Sequence, residues 1–190
     1  MIQKIFLLLR LLFVPILALT VGCGGEDETQ QRAEDLVGRW KFVSFGEQSV
    51  DERIDAFFDD TGVKVHLTQN SLVFDEDGSW ARDIGGEFVG DLSNIIEQVS
   101  LSKAEVDFSD QGTYFVSASV LSLVTQDIRV SVEPQYFWKL VGTAEEDFAQ
   151  QFRSDIFGEI YKFSWVVQSD TLVLTDEEDQ EEITLRKIRN

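Results

Sequence analysis

Cysteine, histidine and proline are scarce in this 190-residue chain, which has one cysteine, one histidine and two prolines. A lone cysteine cannot form an internal disulfide, so packing alone must stabilise any folded domain. A serine or cysteine hydrolase needs a base beside its nucleophile, and no such motif surrounds His66, the single histidine. His66 is therefore interpreted as a surface residue of a strand rather than as a catalytic base or a metal ligand.

Positive charge is also scarce, because 16 Lys and Arg residues stand against 35 Asp and Glu residues, for a formal charge of −19. So acidic a surface is repelled by nucleic-acid phosphates and gains little from anionic lipid head groups. We therefore expect no nucleic-acid partner. If the chain binds a small ligand, its total charge favours a neutral or cationic one.

The first 22 residues have the order of charges and apolar residues that is typical of an export signal. Lys4 and Arg10 precede the apolar run from Leu11 to Leu19, which is too short to cross a bilayer as a helix. Without this segment 168 residues remain, with 14 of the 16 basic side chains and a formal charge of −21. The length fits one domain with one core.

The segment ends at Gly22-Cys23, which resembles the lipobox of bacterial lipoproteins, although Thr20 replaces the usual Leu, Val or Ile. The resemblance implies that residues 1–22 are removed and that Cys23 receives acyl chains. The polar stretch 23–35 is then a lipidated tether, and Gly24 implies an outer-membrane location in the cell envelope. The alternative is an ordinary signal peptide with an incidental cysteine.

From residue 36 to 190, short runs of Val, Phe, Tyr, Ile and Thr alternate with Asp, Gly, Ser and Asn clusters. This pattern predicts an all-β domain of many short antiparallel strands. With no βαβ alternation and no fixed repeat, an up-and-down barrel of about eight to ten strands is favoured, and a two-sheet sandwich is the alternative. The predicted strands are Val37–Phe45, Val63–Thr68, Ser71–Phe74, Ser79–Ile84, Ala104–Phe108, Thr113–Leu123, Ile128–Val132, Tyr136–Val141, Ile160–Val167, Thr171–Leu174 and Glu182–Ile188.

Turn chemistry predicts hairpins at Asp75–Gly78, Ser109–Gly112 and Thr175–Glu181. Helical spacing predicts three short insertions that cover sheet edges or ends. They are marked by Ile54, Phe57 and Phe58, by Leu92, Ile95, Ile96 and Val99, and by Phe148 and Phe152.

Four segments resemble those of bacterial lipocalin-like lipoproteins. They are Gly38-x-Trp40, Leu72 to Trp80, Gly112-Thr113-Tyr114, and Phe163 to Arg186. The resemblance implies that Gly38 and Trp40 begin the barrel and that Trp40 closes one end. It also implies a basic side chain from the last strand over the Trp40 ring, for which Arg186 and Arg189 are the candidates. Trp40 as one more core aromatic is the plainer interpretation.

No spacing of acidic residues predicts a metal or catalytic site. The acidic turn at Asp75–Gly78 lacks calcium ligands in the required register, and the run from Asp176 to Glu182 is typical of a solvated hairpin tip. We therefore predict no cofactor, no metal and no enzymatic activity.

Two functions remain for a barrel tethered to a membrane. It could bind a small apolar or amphiphilic ligand, or it could be a structural lipoprotein whose barrel is filled by its own side chains and whose acidic surface meets an envelope protein. The candidate ligand-lining residues are Phe74, Trp80, Tyr114, Phe115, Phe137 and Trp138.

The anchor gives a direct prediction. Cys23→Ala should leave the precursor unprocessed, because lipid transfer to the cysteine precedes cleavage, and the protein should no longer carry acyl chains. The measurement is the mass of the N-terminal peptide of protein purified from membranes. An unmodified Cys23 in the wild-type protein would contradict the prediction.

Overall fold

The computed structural model describes residues 33–96, 99–117, 119–147, 150, 160–178 and 180–189. Residues 1–22 and Cys23 lie outside this part of the chain, as do Phe148 and Phe152 of the third predicted insertion. None of the helices within it is both long and apolar enough to cross a bilayer.

Strands dominate the described residues. They are β1 (Gly38–Phe45), β2 (Gln48–Ser49), β3 (Lys64–Phe74), β4 (Ser79–Val89), β5 (Lys103–Ser117), β6 (Val120–Glu133), β7 (Ile160–Gln168), β8 (Thr171–Asp176) and β9 (Glu182–Lys187). The helices with both ends described are α1 (Ala33–Leu36), α2 (Val50–Phe58) and α3 (Phe137–Val141), with 3-10 turns at Asp59–Thr61 and Leu92–Asn94. Residues 145–147 and 150 are also helical.

Eight of these strands form a closed antiparallel barrel. The hydrogen-bonded order is β1, β3, β4, β5, β6, β7, β8 and β9, and β9 returns to pair with β1 from Trp40↔Lys187 to Phe45↔Ile183. The two-residue strand β2 lies outside this ring, paired with the end of β1. The closure confirms the predicted up-and-down barrel and excludes the two-sheet sandwich.

Alternation along each strand determines which side chains enter the barrel. In β6, Leu121 and Leu123 are buried while their neighbours are more exposed, and after Gln126 the buried residues become Ile128, Val130 and Val132. The change of phase coincides with a bulge opposite Gln111 and Gly112, where one extra residue enters the strand.

Two of the three predicted hairpins are confirmed. At Asp75–Gly78 the Gly78 N–H donates to the Asp75 carbonyl at 3.1 Å, and Gly78 has a φ of +83°. The Thr175–Glu181 segment joins β8 to β9, which pair directly from Thr171↔Arg186 to Thr175↔Glu182. Both turns have the acidic residues that favour local hydrogen bonds to the backbone.

The predicted hairpin at Ser109–Gly112 is wrong, because β5 runs through it without a break. Gly112 instead lies at the bulge, where a Cβ would come within 1.8 Å of the Val124 carbonyl oxygen. Its missing side chain lets β5 and β6 approach closely. Strand β3 is likewise continuous where two strands were predicted.

The predicted strand Tyr136–Val141 is also wrong, since Phe137–Val141 forms α3. Phe137 and Trp138 are both buried, at 3% and 7% exposure. Adjacent residues of a strand point to opposite faces, so two consecutive buried aromatics suit a helix that covers the barrel end. Gly142 ends the helix with a φ of +73°.

The helical insertion near Ile54 is confirmed as α2. Ser49 and Glu52 form a capping box, in which each side chain accepts a hydrogen bond from the other residue's backbone N–H. Val50, Ile54 and Phe58 are buried, and Phe58 packs edge-to-face against Phe88 of β4. Near Asp91 the described residues form one 3-10 turn, Leu92–Asn94.

Trp40 lies at the start of the barrel and is fully buried. Its indole N–H donates to the Leu36 carbonyl of α1 at 2.7 Å, and the Lys187 ammonium lies 5.0 Å from the ring centroid. Gly38 has a φ of +135°, and a Cβ there would meet Lys187 Cε at 2.9 Å. Gly38, Trp40 and Lys187 of the last strand thus lie together at the start of the barrel.

Trp40→Ala should lower the free energy of unfolding by about 3 to 5 kcal/mol, because it removes a buried aromatic side chain. Phe115→Ala is the control, since Phe115 is 60% exposed and its loss should change stability by less than about 0.5 kcal/mol. Urea denaturation followed by circular dichroism measures both. Equal effects for the two variants would refute the role given to Trp40.

Candidate ligand-binding groove

Along one edge of strand β1, the backbone hydrogen bonds are shared among several partners. β3 pairs with its first three residues, Gly38 to Trp40, and β2 pairs with Ser44 and Phe45. Between them, the side chain of Asn70 replaces a strand: its amide donates to the Phe42 carbonyl at 3.1 Å, and its oxygen accepts from the Phe42 N–H at 3.3 Å. Beyond Asn70 the two strands separate.

The separation is set by the local sequence. After β1 the chain turns back at Gly46, which has a φ of +56°, and β2 takes the hydrogen-bonding edge that β3 would otherwise occupy. The capping box at Ser49 then begins α2 at once. The helix packs against β1, β2 and β3 and covers this end of the barrel.

A groove of about 1020 Å³ follows the gap between β1 and β3. Small-molecule sites usually have volumes of about 300 to 1,000 Å³. Apolar side chains of β1 and β3 form part of the wall, and charged side chains form much of the rest. The lining residues from β1, α2, β3 and the end of β9 include Lys41, Phe42, Val43, Asp51, Asp55, Lys64, Val65, His66, Leu67, Asn70, Arg186, Lys187 and Ile188.

None of the six aromatic residues expected to line a ligand site lies in this groove. Phe74 and Tyr114 are buried, with ring centroids 5.1 Å apart, and the Tyr114 hydroxyl donates to the Asp75 carbonyl at 3.0 Å. Trp80 is buried and donates to the Val124 carbonyl at 3.4 Å. These three aromatics pack against neighbouring side chains and backbone near the Trp40 end.

The other three aromatic residues lie elsewhere. Phe137 and Trp138 belong to α3, which follows β6 at the other end of the barrel, and their rings pack edge-to-face at 5.3 Å. Phe115 follows the inward-facing Tyr114 and therefore points outward, at 60% exposure. It does not line the interior, because successive strand residues alternate between the two faces.

The cation over Trp40 is Lys187, not Arg186 or Arg189. Arg186 is exposed and lies opposite Lys41 in the β1–β9 ladder, whereas Arg189 pairs with Asp170. The alternation of β9 explains the difference, because Leu185 points inward and Lys187 shares its face.

An ion pair crosses from β4 to β5 among the aromatics of the barrel. Arg82 Nε donates to Asp110 Oδ1 at 2.8 Å and Nη2 donates to Oδ2 at 2.5 Å, and Arg82 also lies over the rings of Trp80 and Phe108. The Asp110 side chain is fully buried. Burial raises the pKa of Asp110, and the nearby Arg82 guanidinium opposes this effect only in part.

The carboxylates of the acidic turns accept hydrogen bonds from nearby residues of the same turns. Asp77 accepts from the Ser79 backbone and hydroxyl, which lowers the pKa of Asp77, and Asp176 accepts from the Glu178 N–H at 2.7 Å. No group of three metal-ligating side chains comes together among the residues that the structure describes. His66 lies on the exposed side of β3 and lines the groove.

No protein-family model matches the chain, and no curated protein matches it either. Sequence reasoning missed Asn70, Lys41 and Lys64, although the Ser49-x-x-Glu52 pattern after a short apolar strand was a signal for the helix that opens the groove.

Arg82→Met should lower the free energy of unfolding by about 3 to 5 kcal/mol, because it leaves the buried Asp110 carboxylate without its partner. The additional change Asp110→Leu should restore much of this loss. The loss of folding stability in Arg82→Met should be smaller at low pH. An acid whose pKa is raised in the folded state favours that state when it is protonated, and this contribution is lost as the pH rises through the raised pKa.

Arg129→Met is the matched control, since Arg129 is exposed, Asp127 is only partly buried, and the N–O distance between them is 3.4 Å. It should change stability by less than about 1 kcal/mol. Urea denaturation at several pH values measures all three variants. A double variant as unstable as Arg82→Met alone would contradict the assigned cause.

Proposed function

We propose that this protein is a lipid-anchored, lipocalin-like protein of the bacterial envelope that binds a small amphiphilic molecule in the groove between β1 and β3. The observation that carries the proposal is the groove itself, whose volume of about 1020 Å³ suits a small ligand. The expected anchor at Cys23 supports it, because an anchored barrel lies beside a source of amphiphiles. No catalytic role is proposed for any residue.

The wall chemistry supports an amphiphile over a purely apolar ligand. Val43, Val65 and Leu67 offer apolar contacts, and Lys41 and Arg186 offer hydrogen-bond donors in the same groove. An acyl chain gains about 0.8 kcal/mol for each CH₂ group that it buries, and a polar head group avoids the cost of losing its hydrogen bonds.

The packed interior favours a second function, in which the barrel is a scaffold for an envelope partner. The inward-facing aromatics Phe74, Trp80 and Tyr114 are at most 8% exposed. The Arg82–Asp110 pair occupies space among them. A barrel filled in this way can present its outer surface without holding any ligand.

A photoreactive palmityl alcohol that carries a diazirine tests the first function. In membranes that contain the full lipoprotein, we expect the probe to label peptides of β1 and β3 saturably. Val43→Trp should reduce this labelling by about fivefold or more, because a large side chain then fills the groove. The measurement is quantitative mass spectrometry of the labelled peptides.

Val166→Trp is the control, since Val43 and Val166 are exposed valines of similar accessibility, 37% and 41%, and Val166 lies on β7 outside the groove lining. It should leave the labelling unchanged. Labelling that never saturates, or that falls equally in both variants, would support the scaffold function instead.

A further inference from the structure

The side chains that line the groove have a net charge opposite in sign to that of the whole chain. Its lining contains four basic side chains, Lys41, Lys64, Arg186 and Lys187, and two acidic ones, Asp51 and Asp55. The formal charge of the lining is therefore positive, whereas the whole chain carries −19. A concave surface between low-dielectric walls focuses such a local field.

The positive charge is concentrated at one end of the groove. Lys41 and Arg186 are direct partners in the β1–β9 ladder and are both exposed, so they share the outer face of the barrel. Lys187 is the next residue of β9, and its ammonium remains over the Trp40 ring. Lys64 begins β3 at the far end, toward α2, where the charges of Asp51 and Asp55 oppose it.

Two like charges directly opposite each other in an antiparallel pair destabilise that pair. Within the described residues, neither Lys41 nor Arg186 has a carboxylate partner to offset this repulsion. Five other described cations have such partners: Arg53 with Glu181, Arg82 with Asp110, Lys103 with Glu87, Arg129 with Asp127, and Arg189 with Asp170. Arg39, Lys64, Lys139, Lys162 and Lys187 have none among the described residues either, so Lys41 and Arg186 are distinguished by lying directly opposite each other in the groove lining.

From this juxtaposition we infer that Lys41 and Arg186 bind the anionic head group, a carboxylate or a phosphate, of the amphiphile that occupies the groove. A guanidinium can donate two parallel hydrogen bonds to either group, and a lysine ammonium adds a mobile point charge. The apolar side chains of Val43 and Leu67 then lie along the ligand's hydrocarbon chain. The inference rests on the proposed ligand-binding function and specifies the charge of its ligand.

The inference replaces the expectation that a ligand should be neutral or cationic. That expectation used the total charge, but charges farther away than about 8 to 10 Å are largely screened at physiological salt. The side chains that line the groove therefore outweigh distant carboxylates in their effect on a bound head group.

Two photoreactive probes that differ only in the head group test the inference on the full lipoprotein in membranes. They are a diazirine-bearing palmitic acid and the corresponding palmityl alcohol. The variant K41Q/R186Q should reduce labelling of the groove peptides by the acid about fivefold to tenfold, because it removes both cations. Labelling by the alcohol should change less than about twofold.

The double variant K139Q/K162Q is the matched control, because it removes the same charge from exposed lysines outside the groove lining. It should leave the labelling by both probes unchanged. Labelling by both probes that falls equally in K41Q/R186Q would overturn the inference, since the cations would then only shape the groove. Acid labelling that is unaffected by K41Q/R186Q would also overturn it.

Competition identifies the source of the anion. Displacement of the acid probe by unlabelled palmitate or by a lysophospholipid, but not by inorganic phosphate, would support an amphiphile that is held by its head group and chain together. Displacement by inorganic phosphate alone would overturn the inference in favour of a free-anion site. If neither probe labels the groove in the wild-type protein, the proposed ligand-binding function fails as well.

Discussion

The backbone hydrogen bonds of β1 are the constraint on which the rest of the structure depends. A barrel strand needs partners on both edges, because unpaired buried N–H and C=O groups are costly. On one edge β9 supplies them and closes the barrel. On the other edge β3, the Asn70 side chain and β2 each supply part of the hydrogen-bond partners. Because these partners together complete the hydrogen bonds of β1, β3 can separate from it, and a groove forms while the barrel stays closed.

The same constraint relates the structural end of the barrel to the proposed site. Trp40 and Lys41 are consecutive residues, so strand alternation directs one into the core and the other into the groove. On β9, Lys187 contacts the Trp40 ring and Arg186 lies opposite Lys41. Closure of the barrel by β1 and β9 therefore brings the two groove cations together. The proposed ligand site and the closure of the barrel therefore share one pair of strands.

Charge is distributed differently inside and outside the barrel. The Arg82–Asp110 pair lies among aromatic side chains, where each charge depends on the other because water is largely excluded. Lys41 and Arg186 are exposed to solvent, and within the described part of the chain neither pairs with a carboxylate. A chain of net negative charge can still carry a local cationic site that attracts an anion, because charges beyond about 8 to 10 Å are largely screened at physiological salt.

The sequence by itself determined the all-β class, the up-and-down barrel, and the hairpins at Asp75–Gly78 and Thr175–Glu181, because alternation and turn chemistry are local properties. It could not place Gly112, since a glycine that permits a close approach of strands has the same local signature as one in a turn. Nor could it decide that Phe137 and Trp138 lie on a helix, or that Lys187 rather than Arg186 covers Trp40. Only the tertiary structure brought Asn70, Lys41 and Arg186 to one groove, because strand register and barrel closure determine which distant residues become neighbours.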